Sequence, residues 1–237
     1  MKAQFLLLLI AFTHSVCLFA QSEAAETPSE SLSNYLRDMH SIEARFEQTI
    51  LDSQGAVLQE ARGIVRIKRP QQFYWLTESP YEHLVVTDGS VLWLHDIDLE
   101  QVSKKPFVDD EDSAPALLLS GNVDKLREQY VITQAKTAGT TEYQLDAKDK
   151  DTLFVGLTIS FRDRVVTSMS FSDSFEQQTR IDFSSFVVNT EIPDDLFQFA
   201  PPAGVDILDE TLSSFDHNQN GELSTSVSDD LINSSNQ

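Results

Sequence analysis

Ile42-Glu43-Ala44-Arg45-Phe46-Glu47-Gln48-Thr49-Ile50 is the stretch that decides the fold. Ile42, Ala44, Phe46, Gln48 and Ile50 alternate with Glu43, Arg45, Glu47 and Thr49. A period of two sends the two sets to opposite faces of an extended chain, so the segment reads as a half-buried β-strand. Asp52-Ser53-Gln54-Gly55 supplies a turn, and a second strand runs from about Ala56 to Lys68. Further strands fit 72–78, 83–87 and 91–95, the last two joined by Asp88-Gly89-Ser90. Strands resume at 130–135, 142–147, 153–161, 165–172 and 179–188, and an apolar segment from Asp194 to Val205 carries a Pro-Pro stop. Turn signals at intervals of about eight to twelve residues suggest an antiparallel meander.

Two interruptions carry helical patterns. Thr27-Pro28-Ser29-Glu30 reads as a helix start, with Thr at the N-cap, Pro at the first helical position and Glu at the third. Leu32, Leu36 and Met39 follow as one apolar stripe. In the middle of the chain, the acidic run Asp109–Asp112 precedes Ser113-Ala114-Pro115-Ala116-Leu117-Leu118-Leu119-Ser120-Gly121, a short helix closed by glycine, and 122–129 reads as a second polar helical turn or two. Helices this short are not stable alone and must dock on the sheet. The expected class is mainly β with short α-helices, a curved sheet whose helices cross its mouth and leave room for an apolar ligand.

The first twenty residues read as a cleaved secretory leader, with Lys2 followed by the uncharged run Phe5–Phe12 and a cleavage point after Ala20 or Ala24. The run is too short for a membrane span, and no second run of about 18 apolar residues follows. Residues 21–31 read as a flexible polar segment, 32–208 as one domain, and 209–237 as an acidic disordered tail. Cys17 is the single cysteine and falls inside the leader, so disulfides and thiol chemistry drop out of the mature chain. The net charge of −21 argues against nucleic acid as a partner, because its phosphates would be repelled.

Motifs of catalysis are missing. His40, His83, His95 and His217 form no HExxH or paired spacing, and no Gly-x-Ser-x-Gly, P-loop or GxGxxG occurs. No metal site, no cofactor and no enzymatic activity are expected. The tail holds Asp216, Asn218, Asn220 and Gly221 at EF-hand positions 1, 3, 5 and 6, but Val227 stands where a bidentate carboxylate is needed.

Gly63-Ile64-Val65-Arg66-Ile67-Lys68-Arg69-Pro70-Gln71-Gln72-Phe73-Tyr74-Trp75 resembles the LolA family, the outer-membrane lipoprotein carriers. Three more stretches match in order: Val86–Trp93 with its Asp-Gly hairpin, Asp98–Val102 followed by Ala114–Leu119 as central strand and lid helix, and Phe197-x-Phe199-x-Pro201-Pro202-x-Gly204-Val205. The resemblance implies an incomplete antiparallel β-barrel closed by a helical lid. It implies a periplasmic, monomeric carrier of acylated lipoproteins, loaded by an inner-membrane ABC transporter and unloaded by an outer-membrane receptor. A chain of about 16 carbons gains roughly 12 kcal/mol by leaving water, so such a carrier must offer a substitute for hydrocarbon.

The cavity lining expected from this reading is Phe46, Phe73, Trp75, Val85 and Met169 from strands, with Leu32, Leu36, Met39, Leu117 and Leu119 from the lid helices. In the family, an Arg at the position of Arg69 latches the lid when the cavity is empty, and a guanidinium with five donors suits helix-end carbonyls. Phe73, four residues further on, is expected at the rim or the transporter contact. Two other readings are open: the same fold lipidated at Cys17 as a membrane-anchored receptor, and a calcium-dependent module built on the tail.

Overall fold

The computed structural model describes residues 26–107, 123–149 and 151–211. The leader, Leu117 and Leu119 with their helix, the acidic run Asp109–Asp112 and the EF-hand-like stretch lie outside the described residues.

The first helix, α1 (Pro28–Arg37), starts where the Thr-Pro-x-Glu pattern places it. Thr27 Oγ1 accepts from the Glu30 backbone N–H at 3.3 Å, and Glu30 Oε2 accepts from the Thr27 N–H at 2.9 Å, so two orphan donors are satisfied reciprocally. The hydrogen bonds from Thr27 hold the Glu30 carboxyl below its ordinary range. Ser31, inside α1, is already buried. A second helix, α2 (Val123–Gln129), occupies the polar helical turn read at 122–129.

The strands are β1 (Ser41–Leu51), β2 (Val57–Lys68), β3 (Gln72–Ser79), β4 (His83–Thr87), β5 (Val91–Asp96), β6 (Gln101–Pro106), β7 (Tyr130–Thr137), β8 (Thr140–Ala147), β9 (Phe154–Arg162), β10 (Val165–Asp173), β11 (Gln178–Val188) and β12 (Asp206–Asp209). They form one sheet in the order β12-β6-β5-β4-β3-β2-β1-β11-β10-β9-β8-β7. The two ends of this series do not pair with each other, so the sheet is unclosed. Two long hairpin series, β1–β6 and β7–β11, meet where β1 pairs with β11.

The cross-strand register carries one apolar row after another over the inner face. Ala44 faces Val65, which faces Trp75, which faces Val85. On the other side Ile181 faces Met169, then Ile159, then Tyr143. Directly opposed residues share a face, so these rows form one continuous apolar surface that α1 and α2 cover in part. A bulge re-aims one side chain. Ser185, at φ 50°, and Phe186 together oppose Ala44, and the shift turns Phe183 and Phe186 to the same side with ring centroids 5.8 Å apart.

The C-terminal segment departs from expectation. After a 3₁₀ turn (Asp194–Phe197) it crosses the outer face of β3–β6, where Phe197 is buried and Phe199 stands 5.4 Å from Trp93 and 5.5 Å from His95. It then adds β12 as a parallel strand beside β6, tied by Lys104–Asp209 at 3.1 Å and Lys105–Glu210 at 3.2 Å. The meander is therefore not wholly antiparallel, and β12 runs through Asp209. The sixth strand also starts later than Asp98: Glu100 sits in a turn at φ 52°, and β6 begins at Gln101.

Candidate functional site

The apolar inner face under α1 is the candidate site. Leu32, Leu36 and Met39 turn their stripe onto the sheet and are each at most 4% exposed. Phe46 and Met169 are buried in the same cluster, and Phe73 and Trp75 pack against it half-buried. Phe46 stacks on Trp75 with centroids 3.9 Å apart, and Trp75 stacks on Phe73 at 6.2 Å. Val85 is half-buried, opposite Trp75 in β4. Leu36, Met39, Arg69 and Met169 share a narrow void of about 10 Å³ with Ile42, Val65, Ile67, Ile159, Val166, Phe183 and Phe186. That space holds one water at most, so in this state helix and sheet are packed shut. A larger cleft of about 470 Å³ lies between α1 and α2, but its walls are polar, with Glu30, Ser33, Arg37 and Asp124 among them.

Several of these lining residues escaped the sequence reading. Ile42, Val65, Ile67 and Ile159 are apolar strand positions like any others, and nothing in the pattern separates lining from core. Phe183 and Phe186 did carry a signal, because two apolar residues three apart break the period of two and call for a bulge.

Polar groups fasten α1 at both ends. Near its N-terminus the Tyr143 hydroxyl donates to Ser31 Oγ at 2.8 Å, and Gln134 Nε2 donates to the Tyr143 oxygen at 2.8 Å and to Ser31 Oγ at 3.2 Å. Burial raises the Tyr143 pKa, so the hydroxyl keeps its proton. At the C-terminal end the Arg69 guanidinium donates through Nη1 to the Leu36 carbonyl. The Leu36 carbonyl also accepts from the Met39 N–H at 3.1 Å, and the partial negative charge at a helix C-terminus suits a half-buried cation as a further donor. Burial lowers the Arg69 pKa from its ordinary value, yet an arginine stays charged at any physiological pH. The corner after α1 is clipped by Asn189, at φ 59°, whose Oδ1 accepts from the His40 N–H at 2.8 Å and whose Nδ2 donates to the Asp38 carbonyl at 2.8 Å.

Among the described residues no group of three or more His, Cys, Asp or Glu could hold a metal ion. None of the described helices is long and apolar enough to cross a membrane.

Residues 37–200 match the family described as outer membrane lipoprotein carrier protein LolA. The chain belongs to the LolA family. Among its relatives, the outer-membrane lipoprotein carrier protein of Azotobacter vinelandii is 39% identical over 198 residues, covering 83% of this chain and 96% of that one. The protein of the same description from Pseudomonas putida is 38% identical over 211 residues, covering 89% and 100%. In three dimensions an uncharacterized conserved protein from Thermus thermophilus superposes with a TM-score of 0.50 at 10% identity, over 76% of this chain and 98% of that one, a likeness of fold alone. The LolA match begins at the last residue of α1 and ends on the outer-face segment, so it spans the whole inner face described above.

Proposed function

We propose that this chain is a periplasmic, non-enzymatic carrier that shields lipoprotein acyl chains between the inner face of the sheet and a helical lid. It would take them from an inner-membrane ABC transporter and hand them to an outer-membrane receptor. The unclosed sheet then acts as an incomplete barrel, with α1 as part of the lid. The observation that carries the reading is an apolar surface covered by a short helix whose end is held by a half-buried cation. Membership of the LolA family supports it, as do relatives described as lipoprotein carriers that match over most of their length.

The energetics explain why Arg69 is the latch. Lifting α1 exposes Leu32, Leu36 and Met39, each worth about 1.5–3 kcal/mol when fully buried. An acyl chain that slips beneath the helix covers the same surfaces again, and its own burial is worth roughly 12 kcal/mol at about 0.8 kcal/mol per methylene. Hydrocarbon cannot replace the hydrogen bond from Arg69 to the Leu36 carbonyl, which as a charge-assisted contact contributes about 1.5–3 kcal/mol. That bond is lost in the loaded state and regained on release, so it biases the lid toward closing and the cargo toward leaving.

The test uses purified mature protein incubated with spheroplasts, with lipoprotein assayed in the supernatant and then offered to receptor. The expected result is a soluble complex of fixed stoichiometry, with Arg69→Leu forming the complex but passing cargo on poorly. Absence of released lipoprotein while a reference carrier works on the same spheroplasts would reject the carrier role. Normal transfer by Arg69→Leu would reject the latch alone.

A further inference from the structure

The two ends of the sheet differ in a way that the cavity does not explain. At one end the strand connections are β5–β6, β3–β4, β1–β2, β10–β11 and β8–β9, and the strand order sets them side by side in that sequence. Four of the five connections present a large apolar side chain to solvent, and beside the β1–β2 turn the exposed apolar residue is Leu58, near the start of β2. Leu99 and Tyr81 are each 71% exposed and Phe175 is 75% exposed, while Leu153 and Leu58 are more than half exposed. Adjacent tips are joined by backbone hydrogen bonds, Ile97 N–H to the Glu82 carbonyl at 3.1 Å and Ser174 N–H to the Leu153 carbonyl at 3.0 Å. At the other end, the turns 69–71, 88–90, 138–139 and 163–164 hold no large apolar residue. The valines flanking that end, Val165, Val187 and Val188, are less exposed than the tips.

The backbone of the tips is tied by side-chain carboxylates. Asp173 Oδ1 accepts from the Phe175 and Gln177 N–H groups at 2.9 Å each, and Asp96 Oδ1 accepts from the Leu99 N–H at 3.0 Å. Asp98 Oδ2 takes the Glu82 N–H at 3.1 Å, locking the Tyr81 loop to its neighbour. Backbone already held in place loses little further entropy when covered, and large apolar side chains gathered at one end of a sheet are suited to contact. Exposed carboxylates stand between the tips, at Glu60, Glu82, Asp98, Glu100, Asp151 and Glu176. The cations described beside them are engaged: Lys148 turns its Nζ to the carbonyls of Arg127 and Glu128, at 2.7 and 3.1 Å, and Arg180, on the rung of Glu60 across β1, donates to Asp182 at 2.7 and 2.6 Å.

We propose that this hairpin-tip end is a docking surface for a partner protein whose contact patch is apolar and ringed by Lys and Arg. The carboxylates decide between occupants. An anionic bilayer and a second copy of this chain, with its −21 charge, would both be repelled. A basic partner would be steered toward this end and then held by the apolar tips. The inference does not depend on what the cavity holds.

A benzophenone side chain placed in the full-length chain at Phe175, Tyr81 or Leu99, with Ala138 in the opposite-end turn as control, tests this in the protein's own cells. The expected result is an adduct from all three tips, and not from position 138, to the same segment of one protein, with Lys or Arg flanking apolar residues. Tyr81→Ser with Leu99→Ser should cut the adduct formed at position 175 by about tenfold, as expected for loss of central apolar contacts. These positions are exposed, and thermal unfolding of the same variants confirms that they remain folded. Adducts to phospholipid, adducts to a second copy, equal labelling from position 138, or no adduct from the tips would each overturn the proposal.

Discussion

A β-carbon added at Gly63 should unsettle the sheet where Phe46 lies on Trp75. It would stand 1.9 Å from the Leu76 carbonyl oxygen and 2.9 Å from Phe46 Cε1. The first contact is with backbone, which cannot swing aside, so β2 and β3 must part locally or Phe46 must leave its 3.9 Å stack on Trp75. Overpacking of this kind costs about 1–3 kcal/mol, and a ladder hydrogen bond lost as the strands part adds about 1 kcal/mol. Stiffening the unfolded chain returns about 0.4–1 kcal/mol. Gly63→Ala should therefore lose roughly 2–3 kcal/mol, or about 5–10 °C in Tm for a domain of this size. Gly156 in β9 is the internal control, because nothing lies within 4 Å of a β-carbon built there. Gly156→Ala should leave Tm unchanged or raise it slightly. Urea unfolding gives the free energies if the slope stays constant between variants. Equal midpoints for Gly63→Ala and the parent would refute the steric argument, and a loss at Gly156 equal to that at Gly63 would show the effect to be generic.

Two further outcomes follow from the polar groups. Ser31→Ala leaves the fully buried Tyr143 hydroxyl without its acceptor and should cost about 1–3 kcal/mol, whereas Tyr143→Phe leaves Ser31 with Gln134 and should cost about 1 kcal/mol; a double-mutant cycle by urea unfolding that returned simple additivity would dissolve the cluster as a unit. The Lys68 amine holds the Asp194 carboxyl, and the Thr211 hydroxyl holds that of Asp209, below their ordinary 3.8. Folded values lower than unfolded ones mean that their stabilisation is complete above that pH and drains away as pH falls through the lower folded values. In a variant carrying Trp75→Phe and His95→Gln, which leaves Trp93 as the single tryptophan and removes the imidazole beside Phe199, emission should stay constant from neutral pH down to about the ordinary carboxylate range and change only below it; a change already under way near neutrality would refute this.

Much of the fold is written in local patterns. The capping box of α1, the alternation in β1 and the Asp-Gly turn at 88–90 each act within a few residues, and the structure realises all three. What escapes a local reading depends on distant partners. Lys104 and Lys105 meet their countercharges, Asp209 and Glu210, only across more than a hundred residues of chain. The apolar Phe197 and Phe199 could have joined either face, and only the path of the chain from β11 sends them outside. The lining residues Ile42 and Ile159 look like ordinary core because, in the packed state, they are core. Arg69 stood out in the sequence through family resemblance and the donors of its guanidinium; which carbonyl it meets, that of Leu36, depends on the packing of α1 and is seen only in the structure.

The linear strand order has a consequence for capacity. A closed barrel has its girth set by strand number and stagger, and widening it means breaking a ladder. Here β12 and β7 are the margins of the described sheet, so it can uncurl or tighten along its length with every rung of hydrogen bonding intact. On the proposed carrier role, the volume under the helices would then be an elastic quantity, governed by side-chain packing, and one ladder would serve guests of different girth.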